Sequence, residues 1–192
     1  MEIKDGGILI ISGPRTGSTN LMKSISSAYN KRKRFEPDIL KKQPPYDSSK
    51  DVVKFIPIWE KHFYEDYKVF YDSVVEYIKE FNTIIILNRR NKLEQTESLY
   101  VQQTNNNKNH NVKWGLEKTI DKESSLYKTY ELYIKKLDNI LDKLSKDLNI
   151  PIDYYEDVYK NKTLINKNIK LDLEYFKPKY KLRQEIKRKR LV

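Results

Sequence analysis

The segment Ser12-Gly13-Pro14-Arg15-Thr16-Gly17-Ser18-Thr19-Asn20 gathers the groups best able to hold an anion. Backbone N–H groups of a glycine-bearing loop, opening into a helix N-terminus, converge on phosphate-like ligands. Arg15 can hold two oxygens of a phosphate or sulfate at once. Ser18 and Thr19 add hydroxyl donors at the helix start. The loop is not a Walker-type loop, which needs G-x-x-x-x-G-K-[ST]. Gly13 and Gly17 stand one residue closer than that pattern, and Ser18 stands where its lysine would be. The positive charge sits upstream instead, on Arg15. A plain turn with glycine as punctuation is the alternative reading.

A second constellation follows a later apolar run. Arg90 leaves that run and Ser98 lies eight residues on, two turns into the next helix. Two anion-binding segments suggest a ligand with two anionic groups, such as a nucleotide phosphorylated at both ends of its ribose. A surface arginine pair and a mid-helix serine are the alternative. Among other candidates, His62 reads as surface or core, and His110 sits in an Asn-rich loop. Lys54 is a possible site cation, and Lys23 reads as surface.

The elements that must position these groups are legible from apolar runs. Residues 7–12 form a buried strand and Gly17 to about Ala28 a helix. Val52-Val53-Lys54-Phe55-Ile56 reads as a second strand closed by Pro57. Phe63, Tyr67, Phe70, Val74 and Ile78 recur on one helical face over 59–81. Thr83-Ile84-Ile85-Ile86-Leu87 is continuous and mostly β-branched, as expected of a central parallel strand. A helix over 92–103 turns Leu93, Thr96, Leu99 and Tyr100 inward. Asp121 is positioned to N-cap a helix reaching Leu148, with Leu126, Tyr130, Tyr133, Leu137, Ile140, Leu144 and Leu148 on its core face. Ile150 to Tyr154 is a short last strand, with Tyr155-Glu156-Asp157 at its exit. Strand and helix alternate four times, which predicts a parallel α/β sheet with helices on both faces. Ligands of such sheets bind at the strands' carboxyl ends, where Arg15, Arg89, Arg90, Glu156 and Asp157 fall.

With 192 residues the chain has the length of one domain, expected over 1–176 with a basic tail over 177–192. It contains no cysteine, which excludes disulfides and thiolate chemistry. No apolar run approaches a membrane span or resembles a signal peptide, so the expectation is a cytoplasmic protein. The formal net charge is +11, concentrated in Lys31-Arg32-Lys33-Arg34 and in 177–190. Such a balance suits anionic partners, although a solvated lysine-rich surface explains most of it.

Taken together, these motifs resemble sulfotransferases that use 3′-phosphoadenosine 5′-phosphosulfate (PAPS). Gly13-Pro14-Arg15-Thr16-Gly17-Ser18-Thr19 resembles that family's 5′-phosphosulfate loop, in the arginine form of bacterial and Golgi-type members. Leu87-Asn88-Arg89-Arg90-Asn91 with Ser98 resembles its 3′-phosphate site, and the run from Arg89 to Ser98 is especially similar to bacterial Stf-type carbohydrate sulfotransferases. Tyr155-Glu156-Asp157 and Phe35-Glu36-Pro37 resemble two further landmarks in family order. The glycine-rich C-terminal element of the family's cytosolic members is missing, and the chain is short for the family.

The resemblance implies a P-loop-NTPase-like three-layer α/β fold, with PAPS as sulfuryl donor and 3′,5′-ADP (PAP) as product. It implies donor binding by Gly13, Pro14, Arg15, Thr16, Gly17, Ser18, Thr19, Asn20, Arg90 and Ser98. No metal is expected: sulfate carries less charge than a terminal phosphoryl group, and Arg15 with the N–H groups of the loop can neutralise the leaving phosphate. Arg15 and Glu36 are the expected catalytic groups, with Glu36 as base for an acceptor hydroxyl on a carbohydrate or small metabolite. Pairing of Glu36 with the 31–34 basic run is its structural alternative. A P-loop-like phosphotransferase or nucleotide kinase is a competing reading; the absent lysine and the lack of a clear Walker B carboxylate count against it. A non-enzymatic polyanion-binding protein using the 177–190 tail is another, and nucleic acid is an unlikely partner because the aromatics fall on helix core faces.

Overall fold

The computed structural model describes residues 6–35, 47–57, 67–106 and 120–161. Glu36, His62, His110 and the 177–192 tail lie outside them. Five strands form one sheet: β1 (Ile8–Ser12), β2 (Arg32–Phe35), β3 (Asp51–Phe55), β4 (Thr83–Asn88) and β5 (Ile152–Tyr154). Their spatial order is β2-β3-β1-β4-β5, and every pairing is parallel. The helices are α1 (Ser18–Ala28), α2 (Tyr67–Ile78), α3 (Lys92–Asn106), α4 (Ser125–Leu148) and α5 (Tyr155–Asn161).

The central strands are apolar on both sides because both faces are covered. Ile8 and Ile10 pack with Leu21, Met22 and Ile25 of α1 and Val158 of α5. Leu9 and Ile11 point the other way, into a core with Tyr71, Val74 and Ile78 of α2 and Leu137, Ile140, Leu141 and Leu144 of α4. Each such fully buried aliphatic side chain contributes about 1.5–3 kcal/mol by leaving water. This is the expected three-layer arrangement. Among the described residues no helix is long and apolar enough to cross a membrane.

Several local expectations need correction. The basic run Arg32–Phe35 is a fifth strand at the sheet edge. It is held there by charge: Arg32 Nε and Arg34 Nε, on the same side of the strand, donate to the two carboxylate oxygens of Asp51 at 2.7 and 3.2 Å. The Asp51 side chain is fully buried and also accepts from the Asp47 N–H. Helix α4 is N-capped by Ser124, whose hydroxyl accepts from the Tyr127 N–H, and not by Asp121. Its buried face begins at Tyr127, leaving Leu126 exposed, and in α3 Gln95 is buried while Leu93 is exposed.

The sheet order creates one topological switch. β1 lies between β3 and β4. The connections leaving β1 and β4 lead to opposite sides of the sheet, since α1 feeds β2 while α3 and α4 feed β5. A crevice at the carboxyl ends of β1 and β4 follows from that divergence.

Candidate active site

The loop from β1 to α1 is built around two left-handed residues, Arg15 at φ 61° and Gly17 at φ 78°. Left-handed residues in a turn are components of backbone anion-binding nests. Three successive carbonyls of this loop are tied back by side chains. Thr16 Oγ1 donates to the Gly13 carbonyl at 2.8 Å, Gln95 Nε2 to that of Pro14 at 2.8 Å, and Arg89 Nη1 to that of Arg15 at 3.3 Å. Occupying carbonyls in this way removes acceptors that would repel an anion.

Gly17 stands at the N-cap of α1 and supplies no side-chain cap. The helix therefore offers its leading N–H groups and the positive end of its dipole to the loop. Glycine is needed here twice over: for its φ, and because a Cβ would lie 2.7 Å from the Tyr155 ring. Gly13 is also confined, since a Cβ there would meet Leu137 at 2.5 Å and Gln95 at 3.0 Å. Ser18 is buried at the start of α1, and Thr19 and Asn20 follow half-buried. Lys54, buried near the end of β3, donates to Thr19 Oγ1 at 3.2 Å.

Arg15 reaches from the β1–α1 loop to α3. Its Nε donates to Ser98 Oγ at 2.8 Å and its Nη1 to Gln102 Oε1 at 3.2 Å. Ser98 and Gln102 stand one turn apart on α3, so they present adjacent acceptors to one guanidinium. The sequence reading gave Arg15 and Ser98 to opposite ends of a ligand; the fold joins them directly.

The turn after β4 is equally fixed. The Glu156 carboxylate accepts from the N–H groups of Arg90 and Asn91, both at 3.1 Å. Asn91 Oδ1 accepts from the Glu94 N–H at 3.0 Å and thereby caps α3. Arg89 is almost fully buried, pairs with Glu94 at 2.6 Å, and lies over the Tyr155 ring at 5.3 Å. Burial pushes the Tyr155 hydroxyl pKa up. Arg90 is exposed and does not join Ser98. Its Nη1 and Nη2 donate to Asp157 at 2.6 Å each, and its guanidinium lies 4.1 Å from the Tyr154 ring centroid.

The sequence places Arg89 at the ligand edge of the sheet without a role of its own, and it does not single out Gln95 and Gln102. A visible signal exists for both glutamines: Gln95 and Gln102 fall at helical spacing about Ser98, on a helix beginning at the strand end. Among the described residues no group of three or more His, Cys, Asp or Glu side chains is gathered as a metal site requires.

An all-parallel sheet whose first strand feeds a glycine-bearing loop and a helix N-terminus is a P-loop-NTPase-like α/β fold. The chain belongs to the sulfotransferase family: the family model described as a sulfotransferase domain matches residues 5–169. It is thus a transferase of sulfuryl groups. Comparison with curated proteins returns no match.

Proposed function

We propose that the chain moves a sulfuryl group from PAPS to a hydroxyl of a carbohydrate or small metabolite. The observation that carries this reading is the span of Arg15 from the loop to Ser98 and Gln102. It puts an arginine, a helix N-terminus and a loop with tied-back carbonyls at one crevice, as a polyanionic donor needs.

In this reading Gly13 to Asn20 cradle the 5′-phosphosulfate, with N–H donors from the loop and hydroxyls from Ser18 and Thr19. Arg15 neutralises charge on the leaving phosphate. Lys54, already at Thr19, adds a cation beside the same group. Ser98 and Arg90 take the 3′-phosphate, and Tyr155 stiffens the loop by packing at Gly17. The acceptor oxygen forms its bond to sulfur as the bond from sulfur to the phosphate oxygen breaks, and the acceptor proton passes to a base.

Glu36 is the proposed base. Support comes from its neighbours: Phe35 ends β2 in register with Lys54, and Lys54 reaches the loop. Within the 31–34 basic run, its alternative partner, Arg32 and Arg34 are engaged by Asp51.

The test is acceptor-dependent release of PAP from PAPS, followed by chromatography over a panel of carbohydrate and small hydroxyl acceptors, with and without a chelator. Wild type releases PAP in both conditions, Arg15→Ala loses most of it, and Glu36→Gln keeps PAP binding while losing turnover. Unchanged turnover in Glu36→Gln removes it as the base. Consumption of ATP with magnesium and none of PAPS would replace this reading with phosphotransfer.

A further inference from the structure

Two arginines leave β4 together and are held in different ways. Arg89 is buried between Glu94 and the Arg15 carbonyl. Arg90 is exposed, and both of its terminal nitrogens are taken end-on by the two oxygens of Asp157. That fork is the geometry in which arginine grips two oxygens of a phosphate. The Tyr154 ring stacks on the guanidinium.

The charge around the fork is also unusual for a phosphate site. Glu156 and Glu94 join Asp157, so two arginines face three carboxylates. Glu156 is committed to the backbone N–H groups of Arg90 and Asn91, and the Glu94 carboxylate to Arg89 and the Asn91 side-chain amide. Among the described residues Asp157 hydrogen-bonds only Arg90. It is half-exposed, in the first turn of α5. The pair is exposed, so water solvates both partners and salt screens them, although its two-point geometry is the kind that holds best at a surface. Of the three acids, Asp157 is the one whose release frees the Arg90 fork without unbonding the turn's N–H groups or the buried Arg89.

We propose that Asp157 is a stand-in for the nucleotide 3′-phosphate: it occupies the Arg90 fork in the free protein and must be displaced when a 3′-phosphorylated nucleotide binds. Asp157 is then an affinity-setting residue for that phosphate. The hydrogen bonds from Arg90 hold its carboxyl below the ordinary range, so it is charged when it competes. The proposal rests on the assignment of Arg90 to the 3′-phosphate, and its test separates the two.

Calorimetric titration of the full chain with PAP and with 5′-AMP, in wild type, Asp157→Asn, Asp157→Glu and Arg90→Ala, makes that separation. Asp157→Asn removes the competing charge and binds PAP roughly three- to tenfold more tightly, with 5′-AMP affinity unchanged. Asp157→Glu keeps a carboxylate and stays near wild type, which controls for any loosening of α5. If Asp157→Asn binds PAP no better, or worse, while Arg90→Ala still weakens PAP, the 3′-phosphate assignment stands and Asp157 merely orients Arg90. If PAP and 5′-AMP bind alike in wild type and Arg90→Ala changes neither, the assignment itself falls and the proposal with it.

Discussion

Arg15 and Ser98 are 83 residues apart in sequence and 2.8 Å apart in space, with Arg15 Nε donating to Ser98 Oγ. This contact ties the loop after β1 to the helix after β4, across the crevice between the two strands. Gln102 completes the hold from the next turn of α3. An arginine held by two acceptors is pre-aimed, so less of its side-chain freedom remains to be lost when an anion arrives. The same acceptors also restrain it, and donor binding must work against or through them.

Lysine cannot reproduce that geometry, because it has one nitrogen where Arg15 uses two. Arg15→Lys is expected to fold as wild type and to lower kcat/KM for PAPS by about ten- to a hundredfold. Ser98→Ala removes a hydrogen bond to a charged group, commonly worth about 1.5–3 kcal/mol, and should weaken PAP binding accordingly. Steady-state kinetics with PAPS and PAP titrations check both; unchanged values in Arg15→Lys would show that charge alone is used.

Gly17 is constrained by backbone and by space together. Gly17→Ala must hold φ at 78° with a Cβ against the Tyr155 ring. A residue forced into a sparsely populated backbone region costs about 1–3 kcal/mol. Denaturant unfolding should show a loss of at least that size, accompanied by loss of PAP binding because the loop and α1 share the residue.

Gln95 is a positioning residue for the loop. Its amide donates to the Pro14 carbonyl from a fully buried site. Gln95→Leu leaves that carbonyl unbound, at a cost of about 1–3 kcal/mol for a buried acceptor left unsatisfied. A structural role alone would lower stability and leave KM for PAPS intact. The expected result is a rise in KM as well, since a released carbonyl is free to face the anion.

Tyr71 provides a pH prediction remote from the site. Burial, then its hydrogen bond to Asp147, pushes its pKa from 10.0 to about 12. The folded protein thus holds this proton more tightly than the unfolded chain does. Its contribution to stability is complete below pH 10 and is lost as pH rises through about 12. Tyr71→Phe has no such proton to lose. The difference in unfolding free energy between wild type and Tyr71→Phe should shrink across that window; a constant difference would show that Tyr71 titrates normally.

The sequence carried the fold where burial writes a pattern. β1 and β4 are continuous apolar runs because both of their faces are covered, and they were legible for that reason. β2 was not, because an edge strand of Arg, Lys and Phe reads as a charged run. Only the buried Asp51, distant in sequence, explains why Arg32 and Arg34 belong in a sheet. The cap at Ser124 was hidden by Asp121, an equally good capping residue a few positions earlier. At the site, glycine spacing and Arg15 were readable as anion chemistry. The partners of Arg15 were not, because Ser98 and Gln102 reach it only through the order β1-β4 of the sheet. Gln95 and Gln102 are ordinary helix residues until the strand neighbours are known.

The proposed function requires a site that binds both ends of an adenosine bisphosphate. The most direct measurement is binding of PAP, 5′-AMP and ATP to the full chain by calorimetry, without added metal, in wild type and Arg15→Ala. The account predicts that PAP binds far more tightly than 5′-AMP or ATP, and that Arg15→Ala weakens PAP severely. Equal affinities for PAP and 5′-AMP, or a preference for ATP that survives loss of Arg15, would contradict it.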